Sequence, residues 1–293
     1  RHTRYWRDWS SDVCSSDLAG DRLVVCNLTI EPAMRAPRLR IDPAAWLTTA
    51  ADLLLPRVCV ICGCAFAPGR CRDGWCEPCL ALVAARQPRC EQCGRKGEAR
   101  QCAVCATGSP SLTRSLVLGD YAPPLDGVIR MLKFRRDPSL AAALGRALGA
   151  VLYGDLADAL AQERCCVAQA TVVAIPSSRE RLAERGYNQA LLIAQAFARR
   201  CAMRLDRTVL LRRPGDAPQS RLAPQERLRN VAGAFETRSP LSGPVVLIDD
   251  VLTTGATLDA AARALRASGA GPIINLVVAR TPERDAPRSP GPA

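Results

Sequence analysis

A mostly parallel α/β sheet with helices on both faces, preceded by a small cysteine-rich module, is the fold class this sequence predicts. Three observations point to it. Short β-type runs alternate with helical stretches from residue 115 to residue 279, the order that builds parallel sheets. Residues 245–257, VVLIDDVLTTGAT, read as an apolar strand, an acidic pair and a small-residue turn that opens a helix near Leu258. Ten of the fifteen cysteines fall between Cys59 and Cys105.

Residues 1–33 begin RHTRYWRDWSSDVCSSDL, without an initiating methionine and without a helical or strand period, and are expected to be a non-native or disordered leader. From Met34, MRAPRLRIDPAAWLTTAADLLLP reads as a start followed by one short amphipathic helix. That helix and the cysteines make a module over residues 34–110. Apolar runs are short or broken by charge, so neither a secretory signal nor membrane insertion is expected, and the predicted location is cytoplasmic. The formal net charge of +12 comes almost wholly from arginine, since Lys96 and Lys133 are the only lysines. Genomic base composition can produce that bias, but the excess charge suits a polyanionic partner. The only histidine is His2, in the leader, which excludes Ser-His-Asp triads, Cys-His pairs and His-ligated metal hydrolases from the body of the protein.

Eight of the clustered cysteines form four C-x-x-C pairs: Cys59 with Cys62, Cys76 with Cys79, Cys90 with Cys93, and Cys102 with Cys105. Each such turn can set two thiolates on one edge of a tetrahedron, and Gly63 and Gly94 allow the tight backbone of a zinc knuckle. Two structural Zn²⁺ sites are expected, paired sequentially or crossed. A disulfide framework is the competing reading, one a cytosolic chain does not normally retain, and a thioredoxin-like motif lacks its βαβ frame. Cys64 and Cys71 are either alternative ligands or buried thiols. Cys165, Cys166 and Cys201 read as small buried hydrophobes.

The α/β domain is placed at residues 111–280. Residues 115–121 read as a strand, 124–134 and 139–160 as helices, and 171–175 as a short buried strand. A polar loop follows, from Pro176 through Ser177, Ser178 and Arg179 to Arg185, Gly186 and Tyr187, leading into a helix from about Asn188 to Cys201. Arginines and small polar residues at a strand-to-helix turn suit a phosphate; the bland alternative is a solvated helix face. Residues 212–224, rich in Pro, Gly and Arg, suit a lid, or else a plain surface loop. A helix over 258–267, a strand over 273–279 and a disordered tail, 281–293, complete the chain.

Asp249 and Asp250 are adjacent carboxylates that repel unless a cation or a polyhydroxyl ligand shares the site. Thr253, Thr254, Gly255, Ala256 and Thr257 offer amides and hydroxyls at a helix N-terminus, where phosphate is favoured. Hydroxyls on the acids and phosphate in the turn together describe a ribose 5-phosphate.

This stretch resembles the phosphoribosyl pyrophosphate (PRPP) motif of type I phosphoribosyltransferases. The resemblance implies that Asp249 and Asp250 face the ribose 2′ and 3′ hydroxyls while 253–257 hold the 5-phosphate. Four further motifs occur in the same order as in ComF family phosphoribosyltransferase-like proteins, which include competence proteins needed for DNA uptake and their GntX-type relatives. They are the cysteine knuckles, IRMLKF (129–134), ERGYNQA (184–190) and QSRLAPQERLRNVAGAF (219–235). The similarity runs from Leu53 to Arg280; Cys64 and Cys71 depart from the pattern. It implies a type I phosphoribosyltransferase-like fold behind a double zinc ribbon. It also implies a pyrophosphate loop at Ser177, Ser178 and Arg179 with Arg185 and Asn188 beside it, and a flexible loop matching at Gln219, Arg221, Arg227 and Asn230.

Two functions follow from that resemblance. One is a Mg²⁺-dependent phosphoribosyltransferase acting on PRPP and an unidentified acceptor. Charge builds at the ribose C1 as pyrophosphate leaves, so arginines, Mg²⁺ and exclusion of water would carry the reaction, with no side-chain nucleophile singled out. The other is a competence factor that binds single-stranded DNA, works with competence machinery proteins and uses PRPP as a regulatory ligand without turnover. With four each of Trp, Tyr and Phe, no aromatic stacking platform stands out.

Overall fold

The computed structural model describes residues 57–66, 73–84, 87–107, 113–135, 137–213 and 233–282. The expected leader, the helix after Met34, Cys71, the loop residues Gln219, Arg221, Arg227 and Asn230, and the tail beyond residue 282 lie outside them.

The cysteine module is built from minimal elements. Strands β1 (Arg57–Val58) and β2 (Ala65–Phe66) pair antiparallel around the first C-x-x-C turn. Helix α1 (Glu77–Val83) starts inside the second pair, with Cys76 as its N-cap and Pro at its first turn. Helix α2 (Ala103–Thr107) starts inside the fourth. So small a module buries little apolar surface, and bound metal would supply much of its folding energy.

The rest is β3 (Thr113–Asp120), α3 (Leu125–Phe134), α4 (Pro138–Gln162), β4 (Thr171–Ala174), α5 (Arg179–Arg185), α6 (Gln189–Arg200) and β5 (Arg204–Asp206). An antiparallel ribbon follows, β6 (Leu210–Arg212) with β7 (Phe235–Thr237), and then β8 (Val245–Leu252), α7 (Ala256–Ala267) and β9 (Ile273–Arg280). The main sheet runs β3-β9-β8-β4-β5, and every neighbouring pair is parallel. All eight residues of β9 are buried, as a central parallel strand requires.

Topology locates the site. From β3 to β4 and from β4 to β5 the chain steps one way along the sheet; from β8 to β9 it steps the other. Right-handed crossovers then put α4 and α6 on one face and α7 on the opposite one. The direction reverses between the neighbours β4 and β8, and a crevice opens outside their carboxyl ends, where ligands bind in open α/β sheets.

Helix α4 forms because Asp137 caps it, accepting from the Ser139 amide at 2.9 Å, and Pro138 occupies its first turn. Among the described residues it is the one helix long and apolar enough to cross a membrane, although its sequence is interrupted by Arg146, Asp155 and Asp158. Leu144, Leu148, Leu156 and Leu160 are fully buried in the core, so its apolar character serves packing. Gly145 lets α6 approach closely: a Cβ there would stand 2.7 Å from Ala196 Cβ and 3.0 Å from the Phe197 amide.

Three expectations need correction. The loop expected over 176–187 contains α5, capped by Ser178, whose hydroxyl accepts from the Arg181 amide at 3.3 Å, and closed by Gly186 at φ +83°. The last β strand before the phosphate turn passes through the acidic pair and ends at Leu252. Cys166 is exposed, whereas Cys165 and Cys201 are half-buried and pack against the core from beyond the ends of α4 and α6. Strands β5, β6 and β7, three residues each, were not anticipated; runs that short carry no readable period.

Candidate functional site

The crevice collects residues from four segments. Asp249 and Asp250 come from the end of β8, and the β4 chain continues beside them, Ile175 N donating to Ile248 O at 3.0 Å. Ser177 and Ser178 follow at once. Asn188 straps this corner together. Its Nδ2 donates to Ile175 O at 3.0 Å, and its Oδ1 accepts from Ser177 Oγ at 3.1 Å and from the Leu191 amide at 3.4 Å, which caps α6. The neighbouring Tyr187 hydroxyl donates to Leu132 O at 2.6 Å, fastening the last turn of α3 to the same corner.

From that turn Lys133 reaches Asp250, Nζ to Oδ2 2.9 Å, with both side chains mostly buried. Asp249 stands behind, its Oδ1 accepting from the Asp250 amide at 2.8 Å. Burial, reinforced by the Asp250 charge, pushes the Asp249 carboxyl up to about 8.

The phosphate turn follows β8. Gly255 adopts φ +89°, a left-handed conformation that favours glycine, and N-caps α7 without a side chain of its own, while the Thr254 hydroxyl accepts from the Ala256 amide at 3.4 Å. Thr253 and Thr254 are exposed, and Gly255, Ala256 and Thr257 half-buried, so the turn itself faces solvent. Arg280 braces it from β9, where it pairs in register with Leu252. Its Nη1 donates to Leu252 O at 2.9 Å and also to Thr253 O.

Sequence reasoning missed both Lys133 and Arg280 as site residues. An arginine directly ending an apolar strand was the available signal for Arg280. Lys133, one of two lysines, closes IRMLKF.

Arg179 is exposed at the first turn of α5, and Arg185 is half-buried at its end. The Arg185 Nε and the Gln189 Nε2 are buried, with no hydrogen-bond acceptor among the described residues. The β6–β7 ribbon packs on α7, and the segment holding Arg221 and Arg227 departs from it. At its base the Arg212 guanidinium lies 5.5 Å from the centre of the Phe235 ring, and Arg213 Nε meets Glu236 Oε2 at 3.1 Å.

The cysteines group sequentially: Cys59, Cys62, Cys76 and Cys79 in one cluster, Cys90, Cys93, Cys102 and Cys105 in the other, each with all four sulfurs within 4.8 Å. Ligands about 2.3 Å from a tetrahedral zinc stand about 3.8 Å apart. The Cys62–Cys76 sulfurs are 3.9 Å apart and the Cys93–Cys102 sulfurs 3.7 Å, so both clusters could hold zinc. Gly63 and Gly94 take φ +69° at equivalent places, and their amides donate to Cys59 O and Cys90 O. An amide hydrogen bond from Cys64 draws the Cys62 thiol down to about 6. Burial works against the Cys90 thiol, yet the Cys102 and Cys93 amides bring it to about 6 as well. Each cluster therefore holds a thiol ready to ionise and bind metal. Cys64 is exposed and belongs to neither cluster.

Both knuckles are fastened to the α/β domain. Trp75 Nε1 donates to Ala143 O in α4 at 3.0 Å, and the Ser115 amide on edge strand β3 donates to Glu91 O at 2.7 Å. Asp120, at the carboxyl end of β3, bonds Arg89 at 2.9 Å and also Lys96. Burial opposes the Asp120 charge, but those two cations hold its carboxyl below the usual range.

Fold and site define a parallel α/β protein with an acidic pair and an open helix N-terminus at its switch point, carrying two tetracysteine knuckles on its edge strand and core helix. The chain is 31% identical to "DNA utilization protein YhgH" of Escherichia coli strain K12 over 234 residues, 78% of this chain and 99% of that one. It is 29% identical to "Competence protein F" of Haemophilus influenzae over 204 residues, 68% of this chain and 86% of that one. It belongs to the ComF family of competence and DNA utilization proteins. No protein-family model matches the chain. Among solved structures, an adenine phosphoribosyltransferase from Leishmania tarentolae aligns at 12% identity and a TM-score of 0.30, covering 60% of this chain and 94% of that one. At that score it carries no weight in reading the site.

Proposed function

We propose that the crevice binds PRPP as its Mg²⁺ complex. Asp249 and Asp250 receive the ribose hydroxyls, and the amides of 255–257 with the Thr253, Thr254 and Thr257 hydroxyls receive the 5-phosphate. Ser177, Ser178, Arg179, Arg185 and Asn188 line the pyrophosphate side. The observation that carries this reading is the meeting of an acidic pair and a solvent-facing Thr-Thr-Gly turn at a helix N-terminus, at one topological switch point. The buried Arg185 and Gln189 N–H groups support it, as donors still available to an anion. Mg²⁺ would sit on the pyrophosphate, where hard oxygen ligands suit it. Arg221 and Arg227 belong to a segment rooted in the β6–β7 ribbon, which we assign as the cover that keeps water from the ribose C1. The setting is cytoplasmic, where cysteines remain reduced and hold zinc.

Isothermal titration calorimetry with Mg²⁺-PRPP tests the reading. A hydrogen bond to a hydroxyl is worth about 0.5–1.5 kcal/mol where the acceptor is neutral and about 1.5–3 where it is charged, so Asp249→Asn with Asp250→Asn should weaken binding about 30-fold or more. Undiminished affinity in the double variant overturns it. A second reading, single-stranded DNA binding with PRPP as effector, is favoured by the net charge of +12 and by relatives named for DNA utilization and competence. It requires affinity that falls steeply with salt, and a flat response removes it.

A further inference from the structure

Lys133 stands where a metal ion would be expected beside paired carboxylates, 2.9 Å from Asp250. It is held there. The Tyr187 hydroxyl grips the carbonyl of the preceding residue at 2.6 Å, and the Arg135 amide closes the helix end on Met131 O at 2.8 Å. The Lys133 side chain is 19% exposed and that of Asp250 15%, so water screens the pair weakly. A fixed ammonium at this distance repels an incoming divalent ion but not neutral hydroxyls, which carboxylate oxygens can still accept from. We propose that Lys133 is a tethered counter-ion that makes the acidic pair a hydroxyl site and keeps free divalent cations off it. The identity of the hydroxyl ligand rests on the PRPP reading; the exclusion of metal does not.

A consequence for loading follows. With the acids reserved for hydroxyls, Mg²⁺ enters with the pyrophosphate, and the sugar ring meets the carboxylates directly. The competing arrangement, in which a divalent ion waits on Asp249 and Asp250, is what Lys133 prevents.

The test uses Mn²⁺ alone, followed by electron paramagnetic resonance of the free ion, with the full zinc-loaded chain. Wild type and Lys133→Arg should take up no Mn²⁺ at this site. Removing the charge in Lys133→Gln should raise Mn²⁺ affinity about tenfold or more, and adding Asp250→Asn to Lys133→Gln should abolish the gain. Equal uptake by wild type and Lys133→Gln overturns the proposal, as does a gained site that survives Asp250→Asn. Wild-type uptake that Asp250→Asn removes overturns it without any Lys133 variant having to fold. Mg²⁺-PRPP titrated into wild type is the separate arm. No heat there, with Mn²⁺ excluded as expected, overturns the PRPP reading and leaves the role of Lys133 standing.

Discussion

Asn188→Ala is the substitution that most cleanly separates strap from scaffold. The side chain caps α6 through the Leu191 amide, accepts from Ser177 Oγ and donates to Ile175 O. Losing an Asn cap costs about 1 kcal/mol. The buried Ile175 carbonyl keeps its sheet position but loses its side-chain donor, adding about 1–2 kcal/mol. The sum, about 2–3 kcal/mol, corresponds to a fall in Tm of roughly 5–10 °C for a domain of this size. Asn188→Ser restores a cap without the reach to Ile175 and should recover roughly half of it. Thermal denaturation followed by circular dichroism reads both, and calorimetry with Mg²⁺-PRPP should show weakened binding in both, because Ser177 is freed in each. Loss of less than about 0.5 kcal/mol in Asn188→Ala, the ordinary range for a surface substitution, would refute the strap.

Gly145→Ala gains about 1 kcal/mol of helix propensity but drives a methyl into Ala196 and the Phe197 backbone, and overpacking of about 1–3 kcal/mol should win; a raised Tm would count against the close α4–α6 contact. The Asp249 carboxyl is raised from 3.8 in the unfolded chain to about 8 when folded. Its contribution to stability is therefore full below about pH 4 and is lost as pH climbs toward 8. Denaturant midpoints at pH 5 and pH 8.5 should fall more for wild type than for Asp249→Asn, and equal slopes would contradict the buried acid. Elemental analysis should find two zinc ions per chain, and chelation should speed hydrogen exchange at the Ser115 amide, whose acceptor Glu91 belongs to the second knuckle. Protection unchanged by chelation would separate the knuckles from the sheet.

The parts of the fold legible in the sequence are those with long periods or strict spacing. Helix α4, with twelve buried residues, and the apolar openings of β8 and β9 announce themselves. The C-x-x-C spacing fixes the knuckles locally, and the structure decides for sequential grouping by bringing sulfurs from neighbouring pairs together. Helix α5 was hidden because its seven residues, RERLAER, bury none of their side chains and so lack an apolar stripe. The β6–β7 ribbon pairs across a long intervening segment, which no local pattern reports. At the site, the acids and the phosphate turn are contiguous and readable. Lys133 and Arg280 come to them from more than a hundred and about thirty residues away in sequence, and only the sheet order brings them there.

The most direct test is a crystal structure of the chain with Mg²⁺-PRPP. The account predicts ribose hydroxyls on Asp249 and Asp250, the 5-phosphate on the amides of Gly255, Ala256 and Thr257, and the Lys133–Asp250 pair intact beside them. PRPP bound elsewhere, such as the amino-end cleft among Arg100, Arg114 and Arg266, or a divalent ion seated on the two aspartates with Lys133 swung away, would contradict it.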